Sequence, residues 1–313
     1  MRRFCSLGGG KSRPGLAKCY FLLASDFVCN IFSGLMSVKF TILGSGSAGN
    51  CAYLETGEAR ILVDAGFSTR QIRNRLASIG KTPENLSAIL LTHEHSDHIS
   101  GLLGLADKLQ IPVYCNRLTQ DGTIWAFKEK WSKKTNLSLE NAGTFKSKID
   151  WRLFETGASF AIGDVGIETF TIPHDAQDPV GFMLHAPTGK IGIATDLGHV
   201  TKLVLERIRT ANVLVLESNH DVKLLQNCPR RSWALKQRIL GRHGHLSNVL
   251  AAETVARVMT AGLRQLYLAH LSRECNTPEL AQELMAEQLF HIGATHVQLH
   301  VAAQDEPAAT LDL

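Results

Sequence analysis

The sequence predicts a layered α/β protein, and three features carry the prediction. Short apolar runs rich in β-branched residues recur from residue 36 onward, the pattern of buried strands. Stretches with helical spacing of apolar positions separate several of them, as in folds that pack helices on sheets. The chain of 313 residues is 44% hydrophobic and 20% charged, enough for one large domain or two small ones. No stretch reaches the roughly 18 uninterrupted apolar residues of a membrane span. A soluble, globular protein follows.

Strands are predicted over 40–43, 60–63, 88–92, 113–115, 166–172, 181–185, 191–195, 213–216 and 266–269, several of them bounded by Gly, Asp or Pro. A helix over 68–79 places apolar residues at 72, 76 and 79. Helices over 100–109 and 248–261 follow the same logic. The helix over 278–291 begins with Thr277 as N-cap and Pro278 in the first turn, both strong start signals.

Residues 1–35 read unlike the rest. They carry Arg2, Arg3, Lys11, Arg13 and Lys18 against Asp26 alone, which accounts for the whole net charge of +4. The body is therefore neutral, and any basic face must come from uneven distribution. Met36 opens a segment that reads as a domain start. The expected organisation is an extension over 1–35, disordered or upstream of the true start, and one domain over 36–313. The seven cysteines form no C-x-x-C pair. Scattered single thiols suit a reducing cytoplasm better than a disulfide framework.

Two stretches are locally basic. Lysines 128, 130, 133, 134, 146 and 148 with Arg152 are interleaved with Trp125, Phe127, Trp131, Phe145 and Trp151. Core packing is the expected use of most of these tryptophans. Residues 223–243 hold six basic residues and no acid.

The strongest chemical signal is His93-Glu94-His95-Ser96-Asp97-His98, directly after the predicted strand 88–92. Three imidazoles and a carboxylate in this register are ligands for zinc, manganese or iron. Position 97 is Asp, so the helical H-E-x-x-H pattern fails. The ligands instead sit on a turn, where two can face one metal and two another. More must come from elsewhere. His174, Asp196 and His270 each stand where a predicted strand stops.

This order of H-x-H-x-D-H, His, Asp and His resembles the metallo-β-lactamase-fold hydrolase superfamily, from Met36 to about residue 303. The resemblance implies an αββα four-layer sandwich and a dinuclear centre. His93, His95 and His174 would hold one metal; Asp97, His98 and His270 would hold the second; Asp196 would bridge them. Two divalent ions per chain are implied, Zn2+ or Mn2+, with Fe2+ also accepted by such donors. The segments 174–182, 194–200, 217–221 and 244–248 are most similar to the YycJ/WalJ exonuclease group, whose members are bacterial and cytoplasmic. The chain is unlike the tRNA-processing branch at Leu246 and Asn248.

The activity implied is a phosphodiesterase, a 5′→3′ DNA exonuclease using a metal-bridging hydroxide. Asp97 would orient the nucleophile, His245 would protonate the leaving oxygen, and Glu217 would orient a histidine from behind. Ser247, Asn248 and Arg242 are candidate phosphate contacts, and DNA is the favoured partner. Rivals are an RNA-processing nuclease, a cyclic-phosphodiester phosphodiesterase and a thioester or lactone hydrolase of the same fold. The Gly244–Asn248 segment and the basic run before it argue against the last.

Overall fold

The computed structural model describes residues 37–135 and 147–313. The extension 1–35, Phe145 and Lys146 lie outside the described residues. Two seven-stranded mixed sheets make up the framework. The first runs in the order β14-β1-β2-β3-β4-β5-β6. Its members are β1 (Lys39–Gly44), β2 (Cys51–Glu55), β3 (Arg60–Val63), β4 (Ala88–Leu90), β5 (Val113–Cys115), β6 (Trp151–Leu153) and β14 (Leu311–Asp312). The second runs in the order β13-β12-β11-β10-β9-β8-β7. It comprises β7 (Ser159–Ile162), β8 (Val165–Thr171), β9 (Val180–Ala186), β10 (Gly189–Ala194), β11 (Val213–Glu217), β12 (Gln265–Ala269) and β13 (Gln298–Val301).

Strand periodicity sorts the side chains into layers. Ile61 and Val63 of β3 join Val213 and Val215 of β11 in one apolar cluster between the sheets. The alternate residue Leu62 faces outward against Ile72 and Leu76 of α1 (Thr69–Ser78). Leu214 and Leu216 face the opposite outer layer. That layer is built from α4 (Lys202–Ile208), α7 (Asn248–Val258) and α8 (Pro278–His291). Helix, sheet, sheet, helix is therefore the order of layers. Strands buried on both faces read as continuous apolar runs, which is why β3, β4, β10 and β11 are legible in sequence.

Local chemistry starts the helices where expected. Ser68 caps α1 in a reciprocal capping box with Gln71, and Thr277 caps α8 with Pro278 in its first turn. Other elements carry no such signal. Helix α3 (Arg117–Thr135) buries Thr119, Thr123 and Phe127, a stripe too polar to register as amphipathic. Strands β6, β7, β13 and β14 are short and only partly covered. The predicted helix 100–109 is present over 102–109, widened at Leu103–Asp107. The tryptophans also depart from expectation: Trp125 and Trp131 are exposed, and Trp151 is only partly buried against the first sheet's outer cluster. Helix α3 meets the core through threonines and Phe127, so its tryptophans take the solvent side. No helix among the described residues is long and apolar enough to cross a membrane.

Candidate metal centre

The cluster assembles where strands of both sheets end. After β4 the chain turns through His93 and His95 into the short helix α2 (Ser96–Ile99), which carries Asp97 and His98. His174 follows β8, Asp196 follows β10 and His270 follows β12. Candidate ligand atoms of His93, His95 and His174 lie within 4.8 Å of one another, as do those of Asp97, His98 and His270. Asp196 shares a third group with His93 and His98. One Asp196 oxygen lies 3.3 Å from His98 Nε2 and the other 3.2 Å from His270 Nδ1. The structure thus brings all seven sequence-predicted ligands together, with Asp196 between the two triplets.

His174 and His98 are oriented from behind, which sets the nitrogen each presents. His174 Nδ1 donates to the Gly244 carbonyl at 3.2 Å, leaving Nε2 to face His95 Nδ1 at 3.3 Å. His98 Nδ1 donates to Asp64 Oδ2 at 2.8 Å, so its Nε2 points at Asp97 and Asp196. Asp64 is itself held by the Thr92 amide and hydroxyl. In the sequence Asp64-Ala65-Gly66 resembles an early motif of the superfamily, without a role for Asp64 itself. Its signal is an acid at a strand end before Ala65-Gly66.

Glu217 is fully buried at the end of β11. Its Oε1 accepts from His245 Nδ1 at 2.8 Å and from His270 Nδ1 at 2.7 Å. Its Oε2 accepts from the amides of Leu197 and Leu246. Burial pushes its carboxyl up, but the His245 and His270 imidazoles and these bonds outweigh it and hold the group at about 2. Burial likewise opposes charge on His245, and Glu217 overrides it and raises the imidazole's pKa.

The donors fit divalent metal ions. His93 Nε2, His270 Nε2 and Asp196 Oδ2 are buried and have no hydrogen-bond partner among the described residues. Stranded nitrogens and a stranded carboxylate oxygen converging from different elements are costly unless a cation meets them. Backbone strain marks the same place. Four non-glycine residues among those described adopt positive φ, and three are Asp64 (62°), Asp196 (59°) and His270 (56°). Such conformations persist where surrounding structure imposes them.

The phosphate candidates are placed differently. Ser247 Oγ accepts from the Leu250 amide and caps α7. Asn248 exchanges reciprocal amide bonds with Asn276 and accepts from Ser218. Both are buried. Arg242 is exposed, with its carbonyl accepting from His199 Nδ1. The pocket beside His245 is lined instead by Arg231, Arg238, Asn219, Ser272 and Ser47, and measures about 130 Å3. Arg231 follows α5 (Val222–Asn227), and Arg238 sits on α6 (Trp233–Leu240). Arg231 is anchored on Glu274 at 3.2 Å. Arg238 is anchored on Asp175. Both arginines belong to the basic run 223–243; what the sequence does not show is which of its six cations face the site.

Two face-to-face sheets between helical layers, with a His/Asp cluster at their strand ends, define a metal-dependent hydrolase of the metallo-β-lactamase fold. The chain belongs to this superfamily, as the family model described as beta-lactamase superfamily domain matches residues 59–271. It is 39% identical over 254 residues to the exodeoxyribonuclease WalJ of Streptococcus pneumoniae, covering 80% of this chain and 88% of that one. It is 37% identical over 262 residues to the exodeoxyribonuclease YycJ of Bacillus anthracis, covering 82% and 93%. The solved structure of the metallo-β-lactamase fold protein YhfI from Bacillus subtilis matches with a TM-score of 0.60 at 16% identity, over 87% of this chain and 99% of that one.

Proposed function

We propose that this protein is a 5′→3′ DNA exonuclease working through two divalent ions, Zn2+ or Mn2+, with Fe2+ a third fit to the same donors. The observation that carries the phosphodiester reading is a pocket with two anchored arginines opening beside His245 and the metal-ligand cluster. Guanidinium groups fixed in this way suit the phosphates of a nucleic-acid backbone. Support for DNA comes from the relatives named exodeoxyribonucleases. The four described cysteines are all free, which supports a reducing cytoplasm. Residues 36–313 are assigned as the hydrolase domain and 1–35 as an extension to it.

His93, His95 and His174 would hold one ion, and Asp97, His98 and His270 the other, with Asp196 between them. Two such ions would acidify a water and offset charge on the phosphate oxygens. The side chains do the rest. Asp97, the most exposed acid of the cluster at 21%, orients the attacking water. His245, its basicity raised by Glu217, donates its proton to the leaving 3′ oxygen. Glu217 aligns His245 and His270 together. Arg231 and Arg238 bind the backbone phosphates and hold the strand in line.

The test is cleavage of 5′- and 3′-labelled duplex DNA, single-stranded DNA and RNA with Mn2+ or Zn2+. The expected result is mononucleotides released progressively from DNA 5′ ends. His95→Ala abolishes release while the protein stays folded. His245→Ala lowers kcat roughly 100-fold with little change in KM, since proton donation acts in the transition state. Metal-loaded protein that leaves every nucleic acid intact would refute the proposal.

A further inference from the structure

A second hollow opens beside the candidate active site and differs from the first in character. It measures about 290 Å3, and His245 borders both. Its walls are Leu240 at the end of α6 and Val249 and Leu250 at the start of α7. These three aliphatic side chains are 39%, 46% and 41% exposed. Adjacent apolar groups left in water beside a reactive histidine mark a place where a ligand is covered. The lining includes His220, which is 1% exposed and, among the described residues, hydrogen-bonded at neither ring nitrogen. A hollow for a purely aliphatic ligand has no use for a stranded imidazole. A flat heterocycle with a polar edge fits both features.

Helix α6 separates the two hollows. Arg238 and Leu235 line the polar side and Leu240 the apolar side. A nucleotide has the same division: anionic phosphate, largely apolar base faces, and a sugar oxygen between them. Resting on the nuclease reading above, we infer that the apolar hollow receives the base of the terminal nucleotide. With the phosphate at Arg231 and Arg238 and the base between Leu240 and Val249, the 3′ oxygen between them falls at His245. The hollow is then a specificity site that registers the strand one nucleotide at a time. It grips the base through its faces, as pockets for unstacked bases do.

The experiment compares two 5′-phosphorylated DNA duplexes, one with a normal terminal nucleotide and one with an abasic tetrahydrofuran there. Wild-type, Mn2+-loaded full chain is expected to cut the first bond of the abasic duplex about tenfold more slowly, the scale of one lost base contact. Later bonds, all with bases, are cut at the normal rate. The double variant Leu240→Ser, Val249→Ser slows the normal duplex by about the same factor and leaves the abasic duplex unchanged. Equal first-bond rates for the two duplexes in wild type overturn the base site while leaving the nuclease reading intact. An equal slowing of both duplexes in the variant also overturns it, because the walls then serve something other than the base. Failure to cut either duplex overturns the nuclease reading, and the base site with it.

Discussion

Glu217 shows how much one side chain can organise. It is 0% exposed and receives four hydrogen bonds, two from imidazoles and two from backbone amides. A buried carboxylate satisfied so fully is not left over from packing. It ties the proposed acid His245 to the proposed ligand His270, so one carboxylate sets two rings. His220, three residues on, is the opposite case. Burial drives its imidazole down from 6.5 to about 4 despite the pull of Glu217. Above about pH 6.5 it is neutral folded and unfolded, and contributes nothing to pH dependence. Below that the unfolded chain takes up a proton that the folded one refuses, so stability falls as pH drops from about 6.5 to about 4. The loss is on the order of 2–3 kcal/mol. His220→Leu should flatten this part of the stability curve, read as the difference from wild type in urea unfolding at pH 7, 5.5 and 4. Parallel curves would show that His220 does not titrate in that range.

Among the elements, strand ends do the work. Asp64, Asp196 and His270 leave β3, β10 and β12 in left-handed conformations, and their side chains meet in the cluster, Asp64 on His98 and Asp196 on His98 and His270. The turn bearing Asp97 and His98 is clamped from below. The Asn50 amide donates to the Asp97 carbonyl, and the Ala65 amide to the His98 carbonyl. Gly66 packs so tightly here that a Cβ would stand 1.7 Å from the Asp97 carbonyl oxygen. Backbone cannot yield as a side chain does. Gly66→Ala should cost more than about 3 kcal/mol and lower metal content, measured by thermal melting and elemental analysis. A variant with wild-type Tm and full metal would contradict the clamp. The H-x-H-x-D-H ligands were legible because they share one turn. Asp64-Ala65-Gly66 was legible as a segment resembling the family, but the task of Asp64 was not, since its partner His98 lies 34 residues away.

On the scale of the molecule, the two sheets form a rigid frame for donors drawn from residue 93 to residue 270. Ions bound only by the folded state stabilise it by mass action. Full-length protein should hold two divalent ions per chain. Chelation should lower Tm on the order of 10 °C, and Mn2+ or Zn2+ should restore it. A chain starting at Met36 should bind the same two ions and melt at the same temperature. One ion per chain would remove the dinuclear centre, and a large drop in Tm for the shorter chain would place residues 1–35 within the stable fold.

By itself the amino-acid sequence determined the α/β class, most interior strands, the caps of α1 and α8 and the four donors of the H-x-H-x-D-H turn, because these are written in local periodicity and residue chemistry. The other three candidate ligands were picked out by the order they share with a known family. Tertiary structure alone decided which cations of the run 223–243 face the site. It turned Ser247 and Asn248 inward, set Trp125 and Trp131 in solvent, and paired two hollows across α6. Those outcomes depend on which residues from distant segments meet. Sequence spacing carries no record of that until the sheets close on each other.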